Sequence, residues 1–233
     1  MMQRSDPDAR RAALLGSPVF QALRPGEREE VLRTATERRW PRGATIFQKG
    51  EPGSALMAVL RGRVRISTVS PAGRELTLNV IDAGGIFGEL ALLDGEPRSA
   101  DAAALEDTLL LIVERRHFAP LLARNGDLSN RLLGVLCQRL RRTSRTLEEI
   151  ALLELPERLA RALIQLGQDY GQNVDGGVRL DIRLSQRELS ALVGASRESV
   201  NKQLALWRAN GVVALERGKI VLRRPDLMAR DAG

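Results

Sequence analysis

Between residues 38 and 114 the chain is cut by glycine into short runs. Gly43, Gly50, Gly53, Gly62, Gly73, Gly84, Gly85 and Gly95 punctuate the segments ATIFQ, SALMAVL, GRVRISTV, RELTLNVI and TLLLIV. Many short β-prone runs at regular spacing predict an antiparallel sandwich or jelly roll. One stretch breaks the pattern: GELALLDG reads as a short helix among strands.

The periodicity changes on either side. Residues 1 to about 36 read as helical, with breaks at Pro18 and at Pro25-Gly26. From about 128 to 153 the sequence reads as one long helix. Leu133, Leu136, Leu140, Thr143, Leu147 and Ile150 follow a 3, 4, 3, 4, 3 spacing, a heptad seam flanked by Arg139, Arg141, Arg142, Arg145 and Glu148. A narrow apolar seam with charged flanks predicts a parallel two-fold coiled coil with a second copy; packing against its own domain is the alternative. Pro156 is expected to end this helix, because proline cannot continue one. An amphipathic helix over 157–170 and a glycine-rich polar loop over 171–177 follow. The expected class is α+β: a jelly-roll domain with N-terminal helices (1–126), a dimerisation helix (127–155) and a C-terminal domain (156–233).

Composition excludes several chemistries. With one cysteine (Cys137) and one histidine (His117), no disulfide can close within the chain. A CxxC…CxxC zinc site and a cysteine-ligated iron–sulfur cluster are excluded. The same two residues offer little as haem ligands, so no metal or haem is expected; His117 reads as a surface residue at a helix start. No nucleophile–base pair or P-loop appears, so the chain does not read as an enzyme. The N-terminus has no apolar core of a signal peptide and no run of about 18 apolar residues exists, which predicts a cytoplasmic protein with no membrane partner. The net charge of +7 fits a polyanionic partner, although an arginine-rich proteome would give the same balance.

Residues 87–100, FGELALLDGEPRSA, carry the most chemistry. Gly88 lets the backbone approach a ligand. Glu89, Leu90 and Ala91 open a helix whose free amides favour an anion. Arg98 offers a fork that pairs with phosphate oxygens, and Ser99 adds a hydroxyl and an amide. Glu89, an acceptor only, suits a ribose hydroxyl. A surface helix with a Glu–Arg salt bridge would explain each residue singly, but not the ensemble. The segment closely resembles the phosphate-binding cassette of cyclic-nucleotide-binding domains. The resemblance to the catabolite activator (CRP/FNR) family extends over nearly the whole chain.

That resemblance implies that Arg98 neutralises a cyclic phosphate and Glu89 holds the 2′-hydroxyl, with Gly88, Leu90, Ala91 and Ser99 completing the cradle. It implies that Thr143 and Ser144 contact the base, the serine reaching from the partner subunit. The heptad reading independently sets Thr143 on the seam. The implied ligand is cAMP; cGMP stays open, because the Ser99 and Thr143 hydroxyls could also serve guanine.

Residues 185–224 hold the second signal. Ser185 to Glu188 is a capping box, S-x-x-E. Gly194 makes a tight turn, Ser196 caps a second helix, and Val200, Leu204 and Trp207 mark that helix's buried side at i, i+4, i+7. Arg197, Glu198, Asn201 and Lys202 are left facing outward, where a recognition helix meets the major groove. VVALE-RGK-IVLRR reads as a β-hairpin wing. GASRESVNKQL resembles the recognition segment of the same family. The resemblance implies that Arg197 takes a guanine edge and Glu198 a cytosine amine, and that Lys202 stands where the family's activator has an arginine. Ser185, Arg187, Ser196 and Ser199 are phosphate-contact candidates. The implied partners are double-stranded DNA carrying a palindromic TGTGA-like site, a second copy of the chain, and RNA polymerase. Nucleotide binding is expected to reposition the two recognition helices; a member that binds DNA without ligand is the remaining alternative.

Overall fold

The computed structural model describes residues 16–182, 184–216, 218–225 and 228; the helix expected over the first fifteen residues lies outside them. The chain divides into two compact units. One comprises the residues up to Thr68 together with Leu78–Arg142, the other Val69–Thr77 together with the residues from Thr143 onward.

In the first unit, α1 (Pro18–Gln21) and α2 (Pro25–Thr34) each begin with a proline in the first turn, where its missing N–H is not needed. The strands are β1 (Thr36–Trp40), β2 (Thr45–Phe47), β3 (Ala55–Arg61), β4 (Val64–Val69), β5 (Glu75–Ile81), β6 (Ile86–Phe87), β7 (Asp101–Ala104) and β8 (Thr108–Glu114), of which Val69 and the first residues of β5, Glu75–Thr77, belong to the second unit. They form two four-stranded sheets, ordered β1-β8-β3-β6 and β2-β7-β4-β5, as the glycine-punctuated pattern predicts. β3 is buried along five successive residues, which a strand tolerates only when both its faces are covered. Leu56 and Ala58 pack with Phe20, Phe118 and Leu121 in a helical cluster, while Met57 and Val59 pack with Phe47, Phe87 and Leu110 between the sheets. The period of two thus sends alternate side chains into two separate cores.

The short helix α3 (Glu89–Asp94) is bracketed by Gly88 and Gly95, both with positive φ (77° and 80°), a backbone state that disfavours any side chain with a Cβ. α4 (Arg115–Arg124) follows β8, and α5 (Gly126–Leu152) runs for 27 residues. Where α2, α4 and α5 begin or end, one polar knot joins them. The buried Glu27 carboxylate accepts from the Arg24 amide at 2.9 Å and from Asn125 Nδ2 at 2.7 Å. Asn125 in turn accepts from the Leu128 amide at 3.0 Å. Burial alone would raise the Glu27 pKa, but these hydrogen bonds and the nearby Arg24 and Arg124 charges hold it below its usual value.

The second unit contains α6 (Leu155–Tyr170), β9 (Gly171–Val174), β10 (Gly177–Leu180), α7 (Gln186–Val193), α8 (Arg197–Ala209), β11 (Val213–Glu216) and β12 (Lys219–Leu222). Two expectations need correction. Pro156 does not end the long helix: α5 stops at Leu152, and Pro156 occupies the first turn of α6. There the Arg158 guanidinium donates to the Leu153 carbonyl at 2.7 Å. Residues 171–177 are not a loop but a hairpin, with Val174 opposite Gly177 and Asp175-Gly176 as its two-residue turn. β9 and β10 extend the wing into a sheet ordered β11-β12-β10-β9. Trp207, Val200, Leu163 and Leu189 are buried together in this unit's core. No described helix is long and apolar enough to cross a membrane.

Candidate functional site

The cassette buries two opposite charges. Glu89 is 2% exposed and Arg98 is 6% exposed. Ion burial of this kind is costly without partners, so their partners define the site. The Arg98 guanidinium lies over the Phe47 ring, 4.4 Å from its centroid. It donates from Nη1 to the Gly88 carbonyl at 2.9 Å and from Nη2 to the Ala55 carbonyl at 3.1 Å. Its Nε is buried without a partner. Burial lowers the guanidinium pKa, against the opposing pull of Glu89 and Glu51. The backbone of Arg98 is fixed as well: its amide donates to the Glu51 carbonyl and its carbonyl accepts from the Gly50 amide.

Glu89 uses one oxygen, Oε1, in an ion pair with Arg139 of α5. Arg139 also donates to the Ile86 carbonyl, tying the helix to the strand that enters the cassette. The other oxygen, Glu89 Oε2, is buried with no hydrogen-bond partner. The cassette therefore keeps one spare donor on a buried cation and one spare acceptor on a buried carboxylate. An unmet buried polar atom costs roughly 1–3 kcal/mol. A ligand presenting an anion to Arg98 and a hydroxyl to Glu89 would remove both costs. Ala91 is buried, while Leu90 and Ser99 are exposed.

Sequence reasoning placed Arg139 only among the charged flanks of the helix and missed its link to the cassette. One signal was available: Arg139 precedes Thr143 by one turn on the same helix face, at i and i+4. Thr143 and Ser144 are exposed on α5. So are most large apolar residues of the seam, Leu133, Leu140, Leu147 and Ile150, whereas Leu136 is half-buried. Cys137 is exposed on the same helix. His117 lies in the first turn of α4, half-buried, and accepts from Arg116 Nε at 3.2 Å.

In the second unit the Ser185 hydroxyl accepts from the Glu188 amide at 3.2 Å, and the Glu188 carboxylate accepts from the Ser185 amide at 2.6 Å. Gly194 turns the chain at φ 63°. Ser196 caps α8 by accepting from the Ser199 amide at 3.0 Å, and the two hydroxyls lie 2.8 Å apart. Arg197, Glu198, Asn201 and Lys202 are exposed on one side of α8, while Val200, Leu204 and Trp207 are buried on the other. Arg187 is exposed, with its Nε 3.1 Å from Glu75 Oε2.

Comparison with known proteins gives the following. A family model described as a cyclic nucleotide-binding domain matches residues 37–125, and a Crp-like helix-turn-helix domain matches residues 157–230. The chain is 34% identical over 214 residues to a CRP-like cAMP-activated global transcriptional regulator of Mycobacterium tuberculosis, covering 92% of this chain and 96% of that one. It is 35% identical over 213 residues to a cyclic AMP receptor protein of Thermus thermophilus, covering 91% and 95%. Among solved structures it matches the c-di-GMP responsive global regulator CLP of Xanthomonas campestris with a TM-score of 0.76 and 27% identity, covering 85% of this chain and 99% of that one.

Proposed function

The chain belongs to the CRP/FNR family of transcription regulators, and from that premise we propose that it is a cAMP-dependent regulator that binds a palindromic operator as a homodimer. The observation that carries the nucleotide reading is the pair of buried charges with spare capacity, Arg98 Nε and Glu89 Oε2. Arg98 meets the cyclic phosphate and Glu89 accepts from the ribose 2′-hydroxyl, with Gly88, Leu90, Ala91 and Ser99 around them. Thr143 and Ser144 read the base. Two relatives are named for cAMP, which supports cAMP over cGMP.

The exposed leucines of α5 support pairing between copies, because an apolar row at heptad spacing is soluble only when covered. The outward face of α8 supports reading of the major groove by Arg197, Glu198 and Lys202, with Ser185, Arg187, Ser196 and Ser199 on phosphates. Function divides along the chain accordingly, with ligand binding in 1–126, pairing in 127–155 and DNA binding in 156–233. The role is regulatory rather than enzymatic, it is exercised in the cytoplasm, and RNA polymerase is the further partner. Nucleotide acts by favouring one arrangement of the recognition helices over another. By linkage, operator DNA then tightens nucleotide binding by the same factor.

The test is calorimetric titration of cAMP, cGMP and c-di-GMP into the purified protein, followed by a mobility-shift assay on a TGTGA-type palindrome. The expected result is cAMP binding at one site per subunit and a shift that appears with it. Binding of cGMP or c-di-GMP in preference to cAMP overturns the ligand assignment. A shift of equal strength without nucleotide overturns the dependence.

A further inference from the structure

The Arg98 guanidinium faces inward. Both terminal nitrogens are committed to backbone carbonyls, Gly88 at 2.9 Å and Ala55 at 3.1 Å, and the aromatic face of Phe47 lies beneath it. A phosphate pairs with arginine through two parallel N–H groups; here two of the five N–H groups are held by those carbonyls, and the unpartnered Nε–H is buried on a side chain only 6% exposed, out of reach from solvent in this pose. Gly53 leaves room for the pose, as Gly88 does at the Nη1 end, where a Cβ would stand 2.6 Å away. A Cβ on Gly53 would stand 2.4 Å from Arg98 Nε, 2.7 Å from Cζ and 2.8 Å from Cδ, and its three nearest neighbours are all atoms of this one side chain. The Gly53 backbone is not in the left-handed region, so conformation alone does not call for glycine there. What requires glycine is the folded-in arginine.

We propose that Gly53 is a positioning residue for nucleotide binding: it lets Arg98 withdraw onto the Gly88 and Ala55 carbonyls, and this withdrawn guanidinium competes with the ligand for its own cation. The inference rests on the reading of the cassette as a nucleotide site. The withdrawn state explains the buried, partnerless Nε: it is a resting pose in which two carbonyls and a ring replace the counter-charge only in part. A site whose competent form is populated a fraction of the time binds with an affinity reduced by that fraction. Removing the competing pose must therefore tighten binding.

Gly53→Ala removes it without touching the carbonyls, Glu89 or Arg139. The expected effect is a cAMP dissociation constant lower by about five- to tenfold, the range for an arginine withdrawn roughly eight to nine times in ten. In the ligand-free protein, the slowly exchanging Nε–H resonance expected of the buried Arg98 should vanish in the variant. On an Arg98→Ala background the Gly53→Ala change should leave nucleotide affinity unaltered. An unchanged or raised dissociation constant in folded Gly53→Ala overturns the inference. If Gly53→Ala does not fold, Phe47→Leu removes the ring under the guanidinium and should tighten binding about threefold; an unchanged or weaker constant there overturns it equally. A wild-type protein that binds no cyclic nucleotide, or Arg98→Ala that binds like wild type, overturns the cassette reading and this inference together. Loss of binding in Arg98→Ala with no gain in Gly53→Ala overturns this inference alone.

Discussion

Leu140→Ala tests the pairing of copies, and its size follows from exposure. Leu140 is 68% exposed in the single chain, so about two-thirds of its surface remains for a partner to cover. Leucine to alanine deletes three carbons, each worth about 0.8 kcal/mol when fully buried, so about 1.6 kcal/mol is lost per protomer at that exposure. Two-fold symmetry counts the site twice, giving about 3 kcal/mol, or about a 200-fold weaker dimer. The same exposure means that the isolated chain loses little packing, so its own unfolding temperature should hold. Leu152 is the control. It is 78% exposed on the same helix but falls off the heptad seam, so Leu152→Ala should leave the dimer intact. Sedimentation equilibrium over a dilution series reads both constants. If Leu140→Ala changes the dimer constant less than about threefold, or Leu152→Ala weakens it as much, the seam does not pair the copies. Leu140→Asp, which sets like charges across the seam, should give monomers at any accessible concentration.

Arg98→Leu removes the phosphate's counter-charge and should cost about 3 kcal/mol or more in cAMP affinity, with Glu89→Gln costing less because an amide oxygen still accepts; calorimetry that returns wild-type constants rejects the assignment. Glu198→Ala should relax preference at one base pair by about 1–3 kcal/mol in binding-site selection. Arg187→Ala should instead weaken all sequences alike and reduce the salt slope by about one. Glu27→Gln should destabilise the first unit by about 1–3 kcal/mol near neutral pH. Because the folded Glu27 pKa is lowered, its contribution is full above the ordinary glutamate range and drains as pH falls through the lower folded value. Thermal melts across the acidic limb should therefore show a shallower loss for Glu27→Gln, and parallel curves for the two proteins would contradict the cause given.

The elements that sequence revealed are those whose signal is local. The strands of the first unit announce themselves by β-branched runs between glycines, and α8 by a buried stripe about two turns long. The helix-turn-helix is legible because caps, turn glycine and stripe all fall within about twenty-five residues. The β9–β10 hairpin was missed because Gly171, Gln172 and Asn173 lack the apolar alternation that marks a half-buried strand. Their pairing partner β10 supplies the core contact through Leu180 instead. The Asp175-Gly176 pair was the sign to heed, since that dipeptide favours a two-residue hairpin turn. The helix boundary at Pro156 was misread because proline signals a helix start as readily as a stop. Arg139 was beyond local reading: it meets Glu89 from fifty residues away, and only the folded chain brings α5 to the cassette.

On α8 the side chains that hold the core and those that face outward share no position. Val200, Leu204 and Trp207 do the first, and Arg197, Glu198, Asn201 and Lys202 the second. Exchange of an outward residue away from a packed contact changes stability by no more than about 0.5 kcal/mol in the usual case. On the proposed reading of DNA by this face, a lineage carrying the helix can drift from one set of target promoters to another by a few codon changes while its fold is kept. Divergence of regulons then runs as fast as promoter sequences permit, while the scaffold that senses the signal is inherited intact.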